Sequence, residues 1–383
     1  MREGFRARIQ NWVIIMRRIE GQITEEIQEF INNDSVDKAH AYPVSTYRQL
    51  VEHVAQLAYL NKDYLLFFRG QGIDFRNRYG SSTFYPTIYR DDYLLQREIN
   101  NRFLLLEHAS KKLLDVLAEE KVKGFEEVRW RKHIQWSILQ HYEVCSTPLL
   151  DLTQSLRVAC SFAQIGSKDD TCFVYVFGLP YVMNRISHNS EHNIVNVRLL
   201  SICPPEALRP YFQEGYLAGT EDITNEYDSK DELDFRNRLI AKFQIPSKST
   251  FWGSGFSRIP ETVLYPRGDH IGKLCKSISL DLKSQLLPGQ LGEFIQEWSD
   301  LEAKLQELAQ SYEPRMFSVR EAIERLGKES YLDKEIVYEL HELRKFRNLV
   351  VHGPKKITAN QLEEKISQIR FTNERLSQEK NLT

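Results

Sequence analysis

The sequence predicts an α+β domain followed by an all-α unit, and three observations carry that reading. Apolar runs of strand length, YLLFF at 64–68, TPLL at 147–150 and CFVYVFGL at 172–179, are interleaved with stretches of helical spacing. The tract Leu286-Leu287-Pro288-Gly289-Gln290 is the best domain boundary in the chain. Beyond it Phe294, Trp298, Leu301, Leu305 and Leu308 are spaced 4, 3, 4 and 3 residues apart, an apolar stripe on a helix. The expected division is an N-terminal helical extension over 1–44, a mixed domain over 45–285 and a helical domain over 290–383.

The elements follow in order. Ile9, Val13, Ile14, Ile23, Ile27 and Ile31 lie near helical spacing and predict helices packed on the domain. Ser45 is the expected N-cap of a helix over 46–60 with Leu50, Val54 and Leu57 on one face. A strand over 64–68 is expected to end at Arg69, and Gly70, Gly72 and Gly80 then make a loop. Helices are expected over 94–117 and 130–139, a strand at 147–150, and a helix carrying Val158, Ala159, Phe162 and Ala163. The pattern blurs between 183 and 234 into expected loops, and 259–266 reads as a short strand bounded by prolines. In the helical domain a second helix carries Val319, Ile323 and Leu326, and a third Ile336, Leu340, Leu343 and Phe346. A last, polar helix starts at Gln361.

At 383 residues the chain exceeds one average domain, and 42% hydrophobic with 27% charged residues suits an ordinary globular protein. A net charge of −2 gives no global attraction to nucleic acid or anionic membrane, so any RNA binding needs a local patch. Cys145, Cys160, Cys172, Cys203 and Cys275 are an odd number without CxxC spacing, which argues against a disulfide framework and a zinc site. No metal is expected. The apolar residues 12–16 between arginines are too short for a membrane span, so a cytoplasmic protein without membrane contact is expected.

Residues 140–163, QHYEVCSTPLLDLTQSLRVACSFA, run from an apolar strand through a polar knot of Asp151, Thr153, Gln154 and Ser155 into a helix. Hydroxyls and a carboxylate delivered to a helix start suit a phosphate or ribose, because unsatisfied N–H groups and the positive dipole end lie there. Together with Phe67-Phe68-Arg69-Gly70-Gln71 and FYPTIYR at 84–90, this stretch resembles the FRG domain family over roughly 45–285. Glu143, Cys145 and Leu152 stand where that family favours Gly, Pro and Trp.

The FRG pattern in turn looks like a variant of the ADP-ribosyltransferase fold. The resemblance implies Arg69 at the end of the first core strand, Thr153 and Ser155 ahead of the Val158 helix, and Glu261 ahead of a strand at 263–266. NAD, or a related nucleotide, is the implied ligand. Breaking the nicotinamide–ribose bond passes through an oxocarbenium-like state that a carboxylate stabilises, the role implied for Glu261. Arg69 with Gly70 and Gln71 would grip the pyrophosphate, Thr153 and Ser155 would brace the ribose, and Asp151, His141 and Tyr142 would line the nicotinamide or acceptor side. Each residue also admits a structural role: Arg69 paired with Asp151, Thr153 or Ser155 as N-cap, Glu261 solvated, His141 and Tyr142 in a buried network.

Residues 343–353, LRKFRNLVVHG, resemble the HEPN family of small helical domains through Arg347, Asn348 and His352. That resemblance implies a homodimer whose facing motifs cleave RNA without metal. On a straight helix Arg347 and His352 lie about 140° apart, and His352 falls in the last turn before Gly353-Pro354, where the dipole favours imidazolium. The pairing of the two families fits prokaryotic toxin or antiphage defence systems. The alternative is a non-catalytic nucleotide-sensing or protein-interaction module with a structural HEPN dimer.

Overall fold

A computed structural model describes residues 16–90, 96–220, 230–284, 288–312, 318–352 and 357–379. The chain divides into two compact units, Met1–Ile278 and Ser279–Thr383.

The first unit is α+β. Its helices are α1 (Glu25–Phe30), α2 (Tyr47–Leu60), α3 (Gln96–Glu119), α4 (Phe125–Trp130), α5 (Lys132–His141), α6 (Leu156–Ile165), α7 (Leu199–Ile202), α8 (Arg209–Gln213) and α9 (Glu261–Leu264), with α10 (His270–Ser284) following. Its strands are β1 (Tyr42–Pro43), β2 (Leu65–Gln71), β3 (Leu150–Thr153), β4 (Thr171–Leu179), β5 (Ile186–Asn189), β6 (Ile194–Arg198), β7 (Gly215–Thr220) and β8 (Leu239–Pro246). They form one eight-stranded sheet in the order β1-β8-β4-β2-β3-β7-β6-β5. Among the described residues the β1–β8 pairing is parallel and the other strand pairings are antiparallel.

Period-2 alternation sorts the side chains into two layers. Phe68, Val174, Val176, Phe243 and Ile245 face α2 and α6 in one core, and Phe67, Tyr175, Phe177, Leu152 and Tyr216 face a second core with Phe84 and Phe235. Each fully buried Phe contributes roughly 1.5–3 kcal/mol by removal from water. Gly70 and Gly72 fall where β2 meets α6 backbone to backbone. A Cβ on Gly70 would lie 1.8 Å from the Ala159 carbonyl oxygen, and one on Gly72 2.1 Å from that of Gly166. Glycine is therefore required at both positions by packing.

The structure moves several expected boundaries. Strand β2 does not stop at Arg69 but continues through Gly70 and Gln71, which pair with Val174 and Phe173. Strand β3 begins at Leu150, three residues later than expected, so Asp151 and Thr153 are strand residues. The N-cap of α2 is Thr46, whose hydroxyl accepts from Gln49 N at 3.3 Å. The described residues of the stretch expected as loops between 183 and 234 supply strands β5, β6 and β7, the short helices α7 and α8 and a 3-10 turn at Lys230–Leu233. Residues 261–264 are helical rather than extended. Near the N-terminus the described residues hold one short helix, α1, while Met16, Ile19, Ile27 and Ile31 are buried; Ile9, Val13 and Ile14 lie outside the described residues.

The second unit comprises α11 (Pro288–Tyr312), α12 (Val319–Lys328), α13 (Lys334–His352) and α14 (Ala359–Glu379). Its core joins Phe294, Trp298, Leu301 and Leu305 to Ile323, Leu326, Ile336, Leu340 and Leu343. The last helix is amphipathic rather than polar, burying Leu362, Ile366, Ile369 and Leu376 in that core. Ser318 and Glu321 form a capping box at the start of α12. Arg370 on α14 reaches Glu297 at 2.9 Å and Glu293 at 2.5 Å on α11. Among the described residues no helix is long and apolar enough to cross a membrane.

Candidate functional site

Strands β2 and β3 and the end of α5 line a cavity of about 270 Å³ in the first unit. Arg69, Gly70, Gln71, His141, Asp151 and Thr153 all line it, together with Gln140, Glu143, Gln213 and Tyr265. Segments as far apart in sequence as Arg69 and Tyr265 thus meet around one void.

The Asp151 carboxylate is the hub. Gln140 donates from Nε2 to Asp151 Oδ2 at 2.6 Å, and its own Oε1 accepts hydroxyls from Thr87 at 2.9 Å and Thr147 at 2.7 Å, which fixes the amide's orientation. His141 Nδ1 stands 3.7 Å from Asp151 Oδ1, an ion-pair distance beyond hydrogen-bond reach. Burial acts to raise the Asp151 carboxyl, but His141, Arg69 and Gln140 together outweigh it and hold the group below its ordinary value. The carboxylate is 39% exposed, so an ionised oxygen is presented to the cavity.

Arg69 donates from Nη1 to the Asp151 backbone oxygen at 2.7 Å, not to the carboxylate. Its Nε is buried without a partner among the described residues. Burial first, and the charge of Arg90 second, push Arg69 down to about 10. The Gln71 Oε1 and the His141 Nε2 are likewise buried without partners among the described residues. The His141 ring leans on Gly215, whose added Cβ would lie 3.2 Å from its Cε1.

Other expected residues have different tasks. Thr153 Oγ1 bonds the carbonyl oxygens of Gln213 and Glu214 at 3.0 and 3.1 Å and accepts from Ser155 N at 3.0 Å. It ties β3 to the end of α8. Ser155 is the N-cap residue of α6 but makes no side-chain capping bond, and it does not line the cavity. The Tyr142 hydroxyl donates to Asp269 Oδ2 at 2.7 Å, and burial with that carboxylate drives its pKa up. It belongs to a buried network rather than to the cavity wall. Glu261 is exposed at the start of α9 and is not among the lining residues; Tyr265, just beyond that helix, is.

Arg209 escaped sequence reasoning. Its guanidinium lies 4.9 Å from the Tyr142 ring and 4.7 Å from the Tyr265 ring, and it donates from Nη1 to the His141 carbonyl at 2.8 Å. Asp269 Oδ2 accepts from Leu208 N and Arg209 N at 3.1 and 2.8 Å. An isolated Arg-Pro at 209–210 carries no local signal of these contacts, because every partner is at least 56 residues away. Gln140 had one signal, its place in the QHY motif.

A second compartment of about 480 Å³ shares Arg69, Gln71, Gly72 and Gly166 with the first. Its wall is the segment 73–85, pinned to the sheet through Asp74, which accepts from the Tyr175 hydroxyl at 2.9 Å and from Arg76 Nε at 2.8 Å. Lys242, 3.6 Å from Asp74, completes that buried cluster, and burial pushes its ammonium down to about 8.

In the helical unit Arg347 and Asn348 are neighbours on α13, with Arg347 Nη1 3.3 Å from Asn348 Oδ1. The Arg347 Nε is buried without a partner among the described residues. His352 is the last residue of α13; its side chain lies outside what is described, as do Gly353 and Pro354. Among the described residues no group of three or more His, Cys, Asp or Glu could hold a metal ion, and all five cysteines are free. No family model, curated protein or solved structure matches this chain.

Proposed function

We propose that the first unit has an ADP-ribosyltransferase-like site that binds NAD or a related nucleotide and breaks its nicotinamide–ribose bond, nicotinamide leaving with the bonding pair as water or an acceptor nucleophile bonds to the anomeric carbon and gives up its proton. The observation that carries this reading is the ionised, partly exposed Asp151 carboxylate sharing one cavity with Arg69, His141 and Tyr265. A fixed carboxylate facing the ribose stabilises positive charge as it develops at the anomeric carbon. Gln140 holds that carboxylate still, which lowers the reorganisation needed when charge appears. Arg69 would meet the diphosphate, and the Tyr265 ring, braced by Arg209, would flank the leaving base. In this reading the carboxylate role passes from Glu261 to Asp151.

Release of labelled nicotinamide from NAD tests it. Asp151→Asn is expected to lower release by about 100-fold, whereas Glu261→Gln leaves it unchanged. No release from wild type, or equal release from wild type and Asp151→Asn, overturns the proposal. Binding of NAD without any release would instead support nucleotide sensing, the non-catalytic alternative.

For the helical unit we propose a HEPN-like homodimer with metal-independent ribonuclease activity. The supporting observation is narrower: a half-buried Arg347 bonded to Asn348, with an unpartnered Nε among the described residues. Cells expressing wild type should show degraded total RNA and those expressing His352→Ala intact RNA; intact RNA in both removes this reading.

A further inference from the structure

The second compartment differs in chemistry from the Asp151 cavity. Arg69 and Arg90 both line it, and Arg90 is near enough for its charge to depress the Arg69 guanidinium. Arg90 is exposed, and beyond the bond from its Nε to the Tyr85 carbonyl at 3.2 Å it has no hydrogen bond among the described residues. Arg76, by contrast, is consumed by Asp74 and by the carbonyls of Lys38, Ala39 and Gly80. The carboxylates on this side are also engaged: Asp74 by Tyr175, Arg76 and Lys242, and Asp231 by Arg236 at 2.9 Å. Asp151 acts on both guanidinium groups through its charge, but neither is hydrogen-bonded to a carboxylate among the described residues, and two such groups with unspent N–H donors make a site for an anion.

The wall above them is aromatic. Phe75 is 56% exposed although it lines the compartment, and the Tyr85 ring carries the Lys230 ammonium at 4.4 Å. The segment bearing Phe75 is anchored through the buried Asp74 cluster, so this ring stands exposed on a fixed backbone. An exposed ring beside fixed cations is the arrangement on which a nucleobase stacks while its phosphate is held.

We propose that this second compartment binds a phosphorylated nucleoside, its phosphate between Arg69 and Arg90 and its base against Phe75. It rests on the nucleotide-cleavage reading only in taking the two compartments as parts of one cleft through Arg69 and Gln71. The phosphorylated nucleoside has two sources: the far half of the dinucleotide whose ribose enters the Asp151 cavity, or a separate acceptor molecule.

Calorimetric titration of the full chain with AMP, adenosine and inorganic phosphate tests the proposal. AMP should bind at least about tenfold tighter than adenosine, and Arg90→Gln and Phe75→Ala should each weaken AMP by about tenfold. Both substituted side chains are exposed, so the fold is retained. Competition between AMP and NAD assigns the site to the dinucleotide itself; simultaneous binding assigns it to an acceptor. Either outcome supports the proposal. Absence of AMP binding, equal affinity for adenosine, or AMP affinity untouched by both variants overturns it. Because nicotinamide release is read separately, a protein that binds AMP through Arg90 yet releases nothing removes the cleavage reading alone.

Discussion

Arg209 donates to the carbonyl oxygen of His141 at 2.8 Å, and so the last residue of α5 is held by a side chain that two tyrosine rings hold in turn. A planar guanidinium can stack on both rings and still donate in its own plane; an ammonium cannot. Arg209→Lys is therefore expected to cost about 2 kcal/mol of stability, read as a lower midpoint in urea. Release of nicotinamide should fall with it, because both His141 and Tyr265 lose their brace. A variant as stable as wild type would sink the assignment of Arg209 as the positioning residue.

Gly70 sits against α6 with no room for a methyl group. Its Cβ would overlap the Ala159 carbonyl oxygen at 1.8 Å and the Ala163 nitrogen at 2.7 Å, and both are backbone atoms that cannot rotate away. Gly70→Ala should destabilise the first unit by at least about 3 kcal/mol, seen as a drop in its thermal midpoint or as insoluble protein.

Glu143 adopts φ 56°, left-handed backbone that costs a residue with a Cβ about 1 kcal/mol relative to glycine. The ion pair it makes with Arg209 at 3.6 Å is 72% exposed on the Glu143 side and offsets little. Glu143→Gly should accordingly raise stability by about 0.5–1 kcal/mol; a loss would show that the cavity rim needs this carboxylate.

Asp234 is fully buried and accepts from Phe84 N at 2.8 Å and Arg236 N at 2.9 Å through one oxygen; the other has no hydrogen bond among the described residues and stands 3.7 Å from the Arg236 Nε. Burial pushes its carboxyl up to about 6. The folded chain then binds more protons than the unfolded one between about pH 4 and 6, so stability is greatest below that window and falls by about 3 kcal/mol as pH rises through it. Asp234→Asn, which keeps the acceptor and removes the charge, should abolish that contribution. Chemical denaturation of both proteins at pH 4, 5, 6 and 7 measures it.

Arg370 neutralises two carboxylates that are nearly out of water, Glu293 at 10% and Glu297 at 7% side-chain exposure. Arg370→Met removes this guanidinium from both buried carboxylates and should cost the helical unit about 3 kcal/mol. Circular dichroism melting of the full chain reads the loss in its helical signal.

Strand β4 and the stripes of α11, α12 and α13 were legible because each keeps its apolar spacing intact. Strand β7, GYLAGT, was not: buried at all six positions and interrupted by two glycines, it has neither alternation nor a continuous apolar run. What makes it a strand is pairing with β3 and β6, which local composition does not encode. The Arg-Gly-Gln, QHY and LLDLT stretches bring Arg69, His141 and Asp151 to one cavity, and the motif glycine, Gly70, both lines that cavity and packs on α6. Glu261 was placed by a Val-Leu-x-Pro pattern that folds as a single helical turn, and that turn delivers Tyr265 to the cavity while leaving the carboxylate outside.

The position of β2 between β3 and β4 has a consequence for biosynthesis. Its partners lie well downstream, Phe68 pairing with Thr153 and Leu65 with Leu179, and β4 is itself paired with β8, which ends at Pro246. A nascent chain leaving the ribosome therefore carries Arg69 long before it carries Asp151, and much longer before the sheet that buries them can close. Any activity of this cleft stays silent until translation has passed most of the first unit.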